Sequence, residues 1–172
     1  MKIINRILFV LGLFLLGSCY PTSMGFKDNS LDPALKAFSV ITFQSESPNA
    51  PVNYPPQFTE YLKTGIQNNT RLKLVKTGEG TSDLVFSGEV IEYSITPVSI
   101  QSNSEAAKNR LTIGLKVTVE NTVSPEKSFE VTPRRFADYD SNQDISTVES
   151  QLLDEINAQL LQDILNQLQS DW

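Results

Sequence analysis

Two groups of side chains in this chain have the types and spacing to do chemistry. Asp138, Asp140, Asn142, Asp144, Ile145 and Glu149 fall on positions one, three, five, seven, eight and twelve of a calcium-binding loop, whose oxygens alternate to wrap a hard cation. Gln143 stands where the sharp turn of such a loop needs glycine, and Glu149 has a second use at the start of a helix. No metal site is therefore assigned, and cation binding by the Asp138–Glu149 loop stays open as an alternative. The second group is basic: Lys108, Arg110, Lys116, Arg134 and Arg135. Arginine forks two oxygens of a phosphate or carboxylate, and lysine offers a point charge, which makes these five the candidate binding residues. Catalysis finds less support. The chain has no histidine, which removes Ser-His-Asp and Cys-His nucleophile systems and zinc sites built on imidazole. It has no glycine-rich phosphate loop and no HExxH pattern, and nothing selects an acid-base pair among 20 carboxylates. The reading is a non-enzyme with no catalytic residue and no cofactor.

The 172 residues suit one domain. A net charge of −6 argues against nucleic-acid binding through phosphate neutralisation. At the N-terminus, Lys2 and Arg6 precede an apolar run from Ile7 to Leu16 and the small pair Gly17-Ser18, the pattern of an export signal. A spanning helix needs roughly 20 apolar residues, so this run is too short to remain as one. Cys19, the single cysteine, follows directly, and Leu16-Gly17-Ser18-Cys19 resembles the bacterial lipobox, in which the cysteine becomes the acylated N-terminus. Residues 1–18 are thus expected to be a lipoprotein signal peptide, 19–33 a lipidated tether, and 34–172 the domain. From Cys19 onward the balance is 12 basic against 20 acidic residues, and Asp138 to Trp172 holds eight acidic residues and no basic one. That segment is either a solvated acidic helix or a face for a basic partner or divalent cations.

The elements that must position these residues follow from periodicity. Ala37 to Phe43 predicts a first strand. Pro55-Pro56 opens a helix with Phe58, Leu62 and Ile66 on one face, and Gly65 within it predicts a close approach to the sheet. Arg71 to Val75 predicts a second strand, parallel to the first through a right-handed crossover. In Asp83 to Ile100 the apolar phase switches at Val90-Ile91, which predicts a bulge. Arg110 to Asn121 alternates Leu111, Ile113, Leu115, Val117 and Val119 with a wet row of Thr112, Gly114, Lys116, Thr118 and Glu120. Lys127 to Tyr139 predicts a weaker strand interrupted at Pro133. Ser146 and Glu149 predict a capping box for a final helix with Leu152, Ile156, Leu160 and Ile164 at four-residue spacing. Its leucine-rich second half needs either an internal slot or another molecule. The fold class is α+β, a single domain with two helices on one face of a mixed four- to five-stranded sheet (β-α-β-β-β-(β)-α).

Taken together, the lipobox and this element order, with Tyr93-Ser94-Ile95-Thr96-Pro97-Val98 leading to Ala106-Ala107-Lys108-Asn109-Arg110-Leu111-Thr112-Ile113, resemble the LptE family in its Bacteroidetes form. Phe136-Ala137-Asp138-Tyr139, Val148-Glu149, Glu155-Ile156, Gln159-Leu160, Asp163-Ile164-Leu165-Asn166 and Trp172 extend the likeness. Thr132-Pro133-Arg134-Arg135 departs from the Ser- and Arg-containing run expected before the aromatic. The resemblance implies an outer-membrane lipoprotein, anchored through Cys19 in the periplasmic leaflet. It would plug and help assemble the large LptD β-barrel in lipopolysaccharide transport, with lipopolysaccharide itself a candidate ligand of the basic residues. Two other classes stand beside it: a binding module for another envelope complex, such as a secretin or an envelope enzyme, and a small-ligand or metal-binding lipoprotein centred on the Asp138–Glu149 loop.

Overall fold

The alternation of β5 (Lys108–Asn121) organises the molecule: Leu111, Ile113, Leu115, Val117 and Val119 are all buried under two helices. The computed structural model describes residues 31–76, 81–98 and 107–170. Cys19, the signal peptide, the start of the tether, the tip of the loop before Lys108, and Trp172 lie outside the described residues. The other strands are β1 (Ala37–Val40), β2 (Gln44–Ser45), β3 (Lys73–Leu74), β4 (Leu84–Val98), β6 (Phe129–Val131) and β7 (Arg134–Asp140), with helices α1 (Tyr54–Asn69) and α2 (Ile145–Ser170). The sheet runs β3-β1-β4-β5, after which β6 and β7 pair with successive stretches of β5. β1 and β3 are parallel, as the crossover requires, and β4 and β5 form a long antiparallel hairpin. The fold class is the expected one, with more and shorter strands than the sequence suggested.

The bulge falls where the apolar phase switches, with the register shifting between Val90 and Glu92. Pro55 and Pro56 occupy the first turn of α1, where a missing N–H costs nothing. The first strand is shorter than its apolar run. It ends at Val40, because Phe43 turns inward beneath α1, packs edge-on against Phe58 at 5.4 Å, and donates its buried N–H to Thr59 Oγ1 at 3.0 Å. The second strand contracts to Lys73–Leu74. Pro133 divides the last expected strand into β6 and β7, and the Pro133 carbonyl accepts the Leu115 N–H, so pairing resumes beyond the break.

Gly65 does mark a close approach, but to α2 and not to the sheet: a β-carbon there would overlap the side chain of Leu161. The second half of α2 finds its partners inside the molecule, with Leu160, Leu161, Ile164, Leu165 and Leu168 all buried. Each such side chain contributes about 1.5–3 kcal/mol on leaving water. The helix start also differs from expectation. Asp144 is the cap, its Oδ1 accepting the Ser146 N–H at 2.9 Å and the Ser146 hydroxyl at 2.7 Å. Glu149 instead accepts the Tyr93 hydroxyl at 2.7 Å. Both local codes fit the sequence; β7 ending at Asp140 leaves Asp144 at the first turn.

The two helices are tied by one buried polar contact, in which the Tyr54 hydroxyl donates to Asn157 Oδ1 at 2.8 Å. Burial pushes the Tyr54 hydroxyl far above its usual titration range, so it stays a donor. Tyr54→Phe leaves that buried carbonyl without its donor. The expected cost is about 1–2 kcal/mol, read as a lower urea midpoint with an unchanged slope.

Candidate functional site

The face of the sheet opposite the helices carries the outward row of β5, and there the strand register assembles a polar surface from residues far apart in sequence. Arg110 lies directly across from Asp138 of β7, with Thr112 across from Phe136 and Gly114 across from Arg134. On the other side, Gly114 pairs with Glu92 of β4 and Lys116 with Glu89. Alternation along β7 puts Arg134, Phe136 and Asp138 on this same face.

Arg110 forks Asp138, Nε to Oδ1 at 2.7 Å and Nη2 to Oδ2 at 2.9 Å, and its guanidinium lies over the Phe136 ring, 3.6 Å from the centroid. Phe136 is held flat as a platform although its side chain is 46% exposed. Arg134 forks Glu92, Nε to Oε2 at 2.6 Å and Nη2 to Oε1 at 2.9 Å, and Ser94 also donates to Oε1. This second pair joins β7 to β4 across β5, a span of about two strand spacings, or 10 Å. The absence of a side chain at Gly114, whose β-carbon would lie 3.2 Å from Glu92 Cβ, lets it pass. Lys116 pairs more loosely with Glu130 of β6, at 3.4 Å.

Of the five basic residues singled out from sequence, Lys108, Arg110, Lys116 and Arg134 share this face. Arg135 does not: it points to the helix side and forks Asp163 of α2, with Nε 2.7 Å from Oδ2. The wet row is also drier than its residue types suggest. Thr112 is 4% exposed and Gly114 is buried, because Ser94 and Phe136 flank the threonine and the Arg134–Glu92 pair crosses the glycine. Phe136, Glu92 and Asp138 were not singled out as partners. The signal that finds Phe136 and Asp138 is the two-residue alternation from Arg134; Glu92 becomes visible only with the register.

The ion pairs set the electrostatics. The Arg110 guanidinium, with a smaller pull from Lys108, holds the Asp138 carboxyl below the ordinary aspartate value of 3.8. Arg134 holds Glu92 below the ordinary glutamate value of 4.5. A carboxylate whose folded-state value is depressed adds stability that is complete above its unfolded value and is lost as pH falls through the folded one. Stability is therefore expected to decline as pH drops below the ordinary carboxylate range. Glu92→Gln should flatten that decline, as measured by urea unfolding at a series of acidic pH values. An unchanged slope in the variant would remove Glu92 from this linkage.

The Asp138–Glu149 segment is committed to other work. Asp138 is forked by Arg110, Asp144 caps α2 and Glu149 takes the Tyr93 hydroxyl. Among the described residues no group of three or more His, Cys, Asp or Glu could hold a metal ion, and no helix is long and apolar enough to cross a membrane. The sheet face presents a rigid row of hydrogen-bonding groups whose strongest charges already neutralise one another, which suits it to a polar protein surface.

The family model for LptE, described as lipopolysaccharide-assembly, matches residues 35–168, nearly the whole described domain. No curated protein matches the chain. Among solved structures, a protein from Xanthomonas campestris shares 8% identity over 81% of this chain and 90% of its own, with a TM-score of 0.52, which shows a common fold. A minor lipoprotein from Acinetobacter baumannii is similar at 16% identity, covering 75% of this chain and 92% of its own, with a TM-score of 0.46. Lipoprotein B from Nitrosomonas europaea is similar at 16% identity over 79% and 84%, with a TM-score of 0.47.

Proposed function

Because the chain belongs to the LptE family of lipopolysaccharide-assembly lipoproteins of the outer membrane, we propose that it plugs an LptD-type β-barrel and that the helix-free face of its sheet meets the barrel wall. The observation that carries this reading is the lattice of forked pairs, Arg110–Asp138 and Arg134–Glu92, which crosses three strands and leaves the face polar, rigid and close to neutral. The interior of a large outer-membrane barrel is polar. A docked plug must exchange water for hydrogen bonds without burying unpaired charge, and a face whose two arginines are already forked to carboxylates goes far to meet that condition.

Anchoring fits the same picture. Leu31 is buried, Arg71 donates to its carbonyl at 3.0 Å, and Lys127 lies 3.9 Å from Asp32, so the chain joins the fold at the end where β1 and β4 begin. With Cys19 acylated, the intervening residues span at most about 40 Å, which keeps that end at the periplasmic leaflet. The 15 residues of β4 carry the sheet up to about 50 Å from it, so Lys108 and Arg110 stand at the far end, inside the barrel. Direct contact with lipopolysaccharide would fall first on Lys108 and on the loosely held Lys116. At Arg110 and Arg134 a phosphate would have to displace a carboxylate fork, and Arg135 serves the helix side.

The test is co-purification from outer membranes in mild detergent with a tag at the C-terminus. A large barrel protein recovered in stable proportion is the expected result. The lipoprotein alone, or in company with a different envelope assembly and no barrel, would overturn the reading.

A further inference from the structure

Strand β7 lies at an edge of the sheet, paired with β5 on one side and with no other strand among the described residues. The Pro133 carbonyl accepts the Leu115 N–H, and the Ala107 carbonyl accepts the Ser141 N–H. These two bonds set the phase of the ladder, so Arg135, Ala137 and Tyr139 turn their backbone groups toward β5 while Arg134, Phe136 and Asp138 turn theirs outward. Among the described residues those three outward N–H groups have no partner. The helices leave this edge open as well. Two helices each about 10 Å across fit side by side over a sheet about 20 Å wide, the width of β3, β1, β4, β5 and β7. Helix α2 therefore sits inward of β7 and buries Ala137 and Tyr139 from one face only.

The charges along this edge are sorted. Arg134 and Arg135 stand at one end of β7, Asp138 and Asp140 at the other, and the half-exposed Phe136 between them. A second copy laid parallel would set like charge against like. Laid antiparallel and turned about Phe136, it sets Arg134 opposite Asp138 of the second copy, Asp138 opposite Arg134 of the second copy, and the two Phe136 rings side by side, the kinds of cross-strand pair that stabilise sheets. The existing forks do not exhaust these groups. A guanidinium carries five N–H donors and a carboxylate about four acceptor sites, of which the forks to Glu92 and from Arg110 use two apiece. A two-residue slip would set Phe136 against Asp138, so the ring pair selects the register centred on Phe136.

We infer that two copies of this chain pair β7 to β7, antiparallel about a two-fold axis at Phe136, so that one sheet runs through both molecules. Such a contact is isologous and closes on itself, which removes an edge that would otherwise template open-ended association. About six backbone hydrogen bonds join the copies, two from each of the three outward pairs. The covered surface is small and the pair is a reversible one, with a dissociation constant between about a micromolar and a millimolar. The tethers leave from opposite ends of the dimer, and a reach of up to about 40 Å each lets both lipids enter one leaflet when the dimer lies along it. A paired sheet is twice the width of a single one, so pairing and plugging a barrel exclude each other. The dimer is the form of the lipoprotein without its barrel, and it stands whether or not a barrel is the partner.

The experiment uses the mature chain carrying Cys19→Ala, which removes the single native thiol, and adds either Phe136→Cys or Asp140→Cys. Each purified chain is oxidised with diamide and followed on non-reducing gels. Opposed residues of a hydrogen-bonded antiparallel pair lie about 5.5 Å apart at Cα, within disulfide reach, whereas the two residues 140 would lie about 25 Å apart. The Phe136→Cys chain should therefore form a linked dimer about tenfold or more faster than the Asp140→Cys chain. Sedimentation of the Cys19→Ala chain alone should show a monomer–dimer equilibrium that shifts with concentration. Equal rates at the two positions, no linked dimer from a folded Phe136→Cys chain, or sedimentation as a monomer up to about a millimolar would overturn the pairing.

Discussion

Gly88→Ala is expected to cost about 3 kcal/mol of folding free energy, out of a total of about 5–15 kcal/mol for a domain of this kind. Gly88 sits in β4 opposite Val117. A β-carbon there would lie 2.5 Å from Cε1 of Phe43 and 2.6 Å from the backbone carbonyl oxygen of Lys116. The ring cannot swing clear, because Phe43 is buried against Phe58 and its N–H is held by Thr59. Nor can the carbonyl move without opening the β4–β5 ladder that carries the whole sheet. Urea denaturation of the purified variant should show a midpoint far below that of the parent. Gly114→Ala is the milder comparison: its nearest neighbour is Glu92 Cβ at 3.2 Å, a tight contact without the overlap met at Gly88, so it should cost clearly less than Gly88→Ala. Equal stability of Gly88→Ala and the parent would mean that the Phe43 turn is not packed as described.

The second large effect concerns location. Cys19→Ala, exported behind a signal that ordinary signal peptidase removes and produced in large excess over any barrel partner, should appear chiefly in the soluble periplasmic fraction, with a thermal unfolding profile identical to that of the parent. The ordinary signal matters, since an uncleaved apolar segment would itself retain the precursor. Stable anchoring takes two lipid signals, and an acylated N-terminal cysteine supplies three chains from one residue, so its loss removes the attachment in a single step. Folding should be untouched, because the described core from Leu31 to Leu168 is closed among its own side chains. Membrane retention of the excess, beyond what a barrel partner can hold, would mean that Cys19 is not the lipid anchor.

Much of the fold was legible because its strongest signals are local. The strict alternation of β5, the phase switch at Val90-Ile91, the prolines that open α1 and the four-residue period of α2 each depend on near neighbours, and each appears where the sequence placed it. The failures share a cause of the opposite kind. Phe43 belongs to a strand by its type, but α1 offers it a buried partner in Phe58 and an acceptor for its N–H in Thr59 Oγ1, and tertiary packing wins. Gly65 announced a close approach without saying to what, and Leu161 answers from 96 positions further along the chain. Thr112 looks wet until Ser94 and Phe136 flank it. For the candidate site, the cations were visible as residue types. Their carboxylates lie 28 and 42 residues away, so the change from free positive patch to neutralised lattice could be read only from the strand register.

The central claim is that the helix-free face of the sheet lies against the wall of an outer-membrane barrel. Phe136 offers the most direct test, since it is exposed at the middle of that face and its ring can be replaced by the larger photoreactive benzoylphenylalanine without entering the core. Irradiation of intact cells should join residue 136 to a single large outer-membrane β-barrel protein, identified by mass spectrometry of the adduct. No adduct from a variant that is expressed, folded and membrane-attached, or adducts only to proteins that are not barrels, would contradict it.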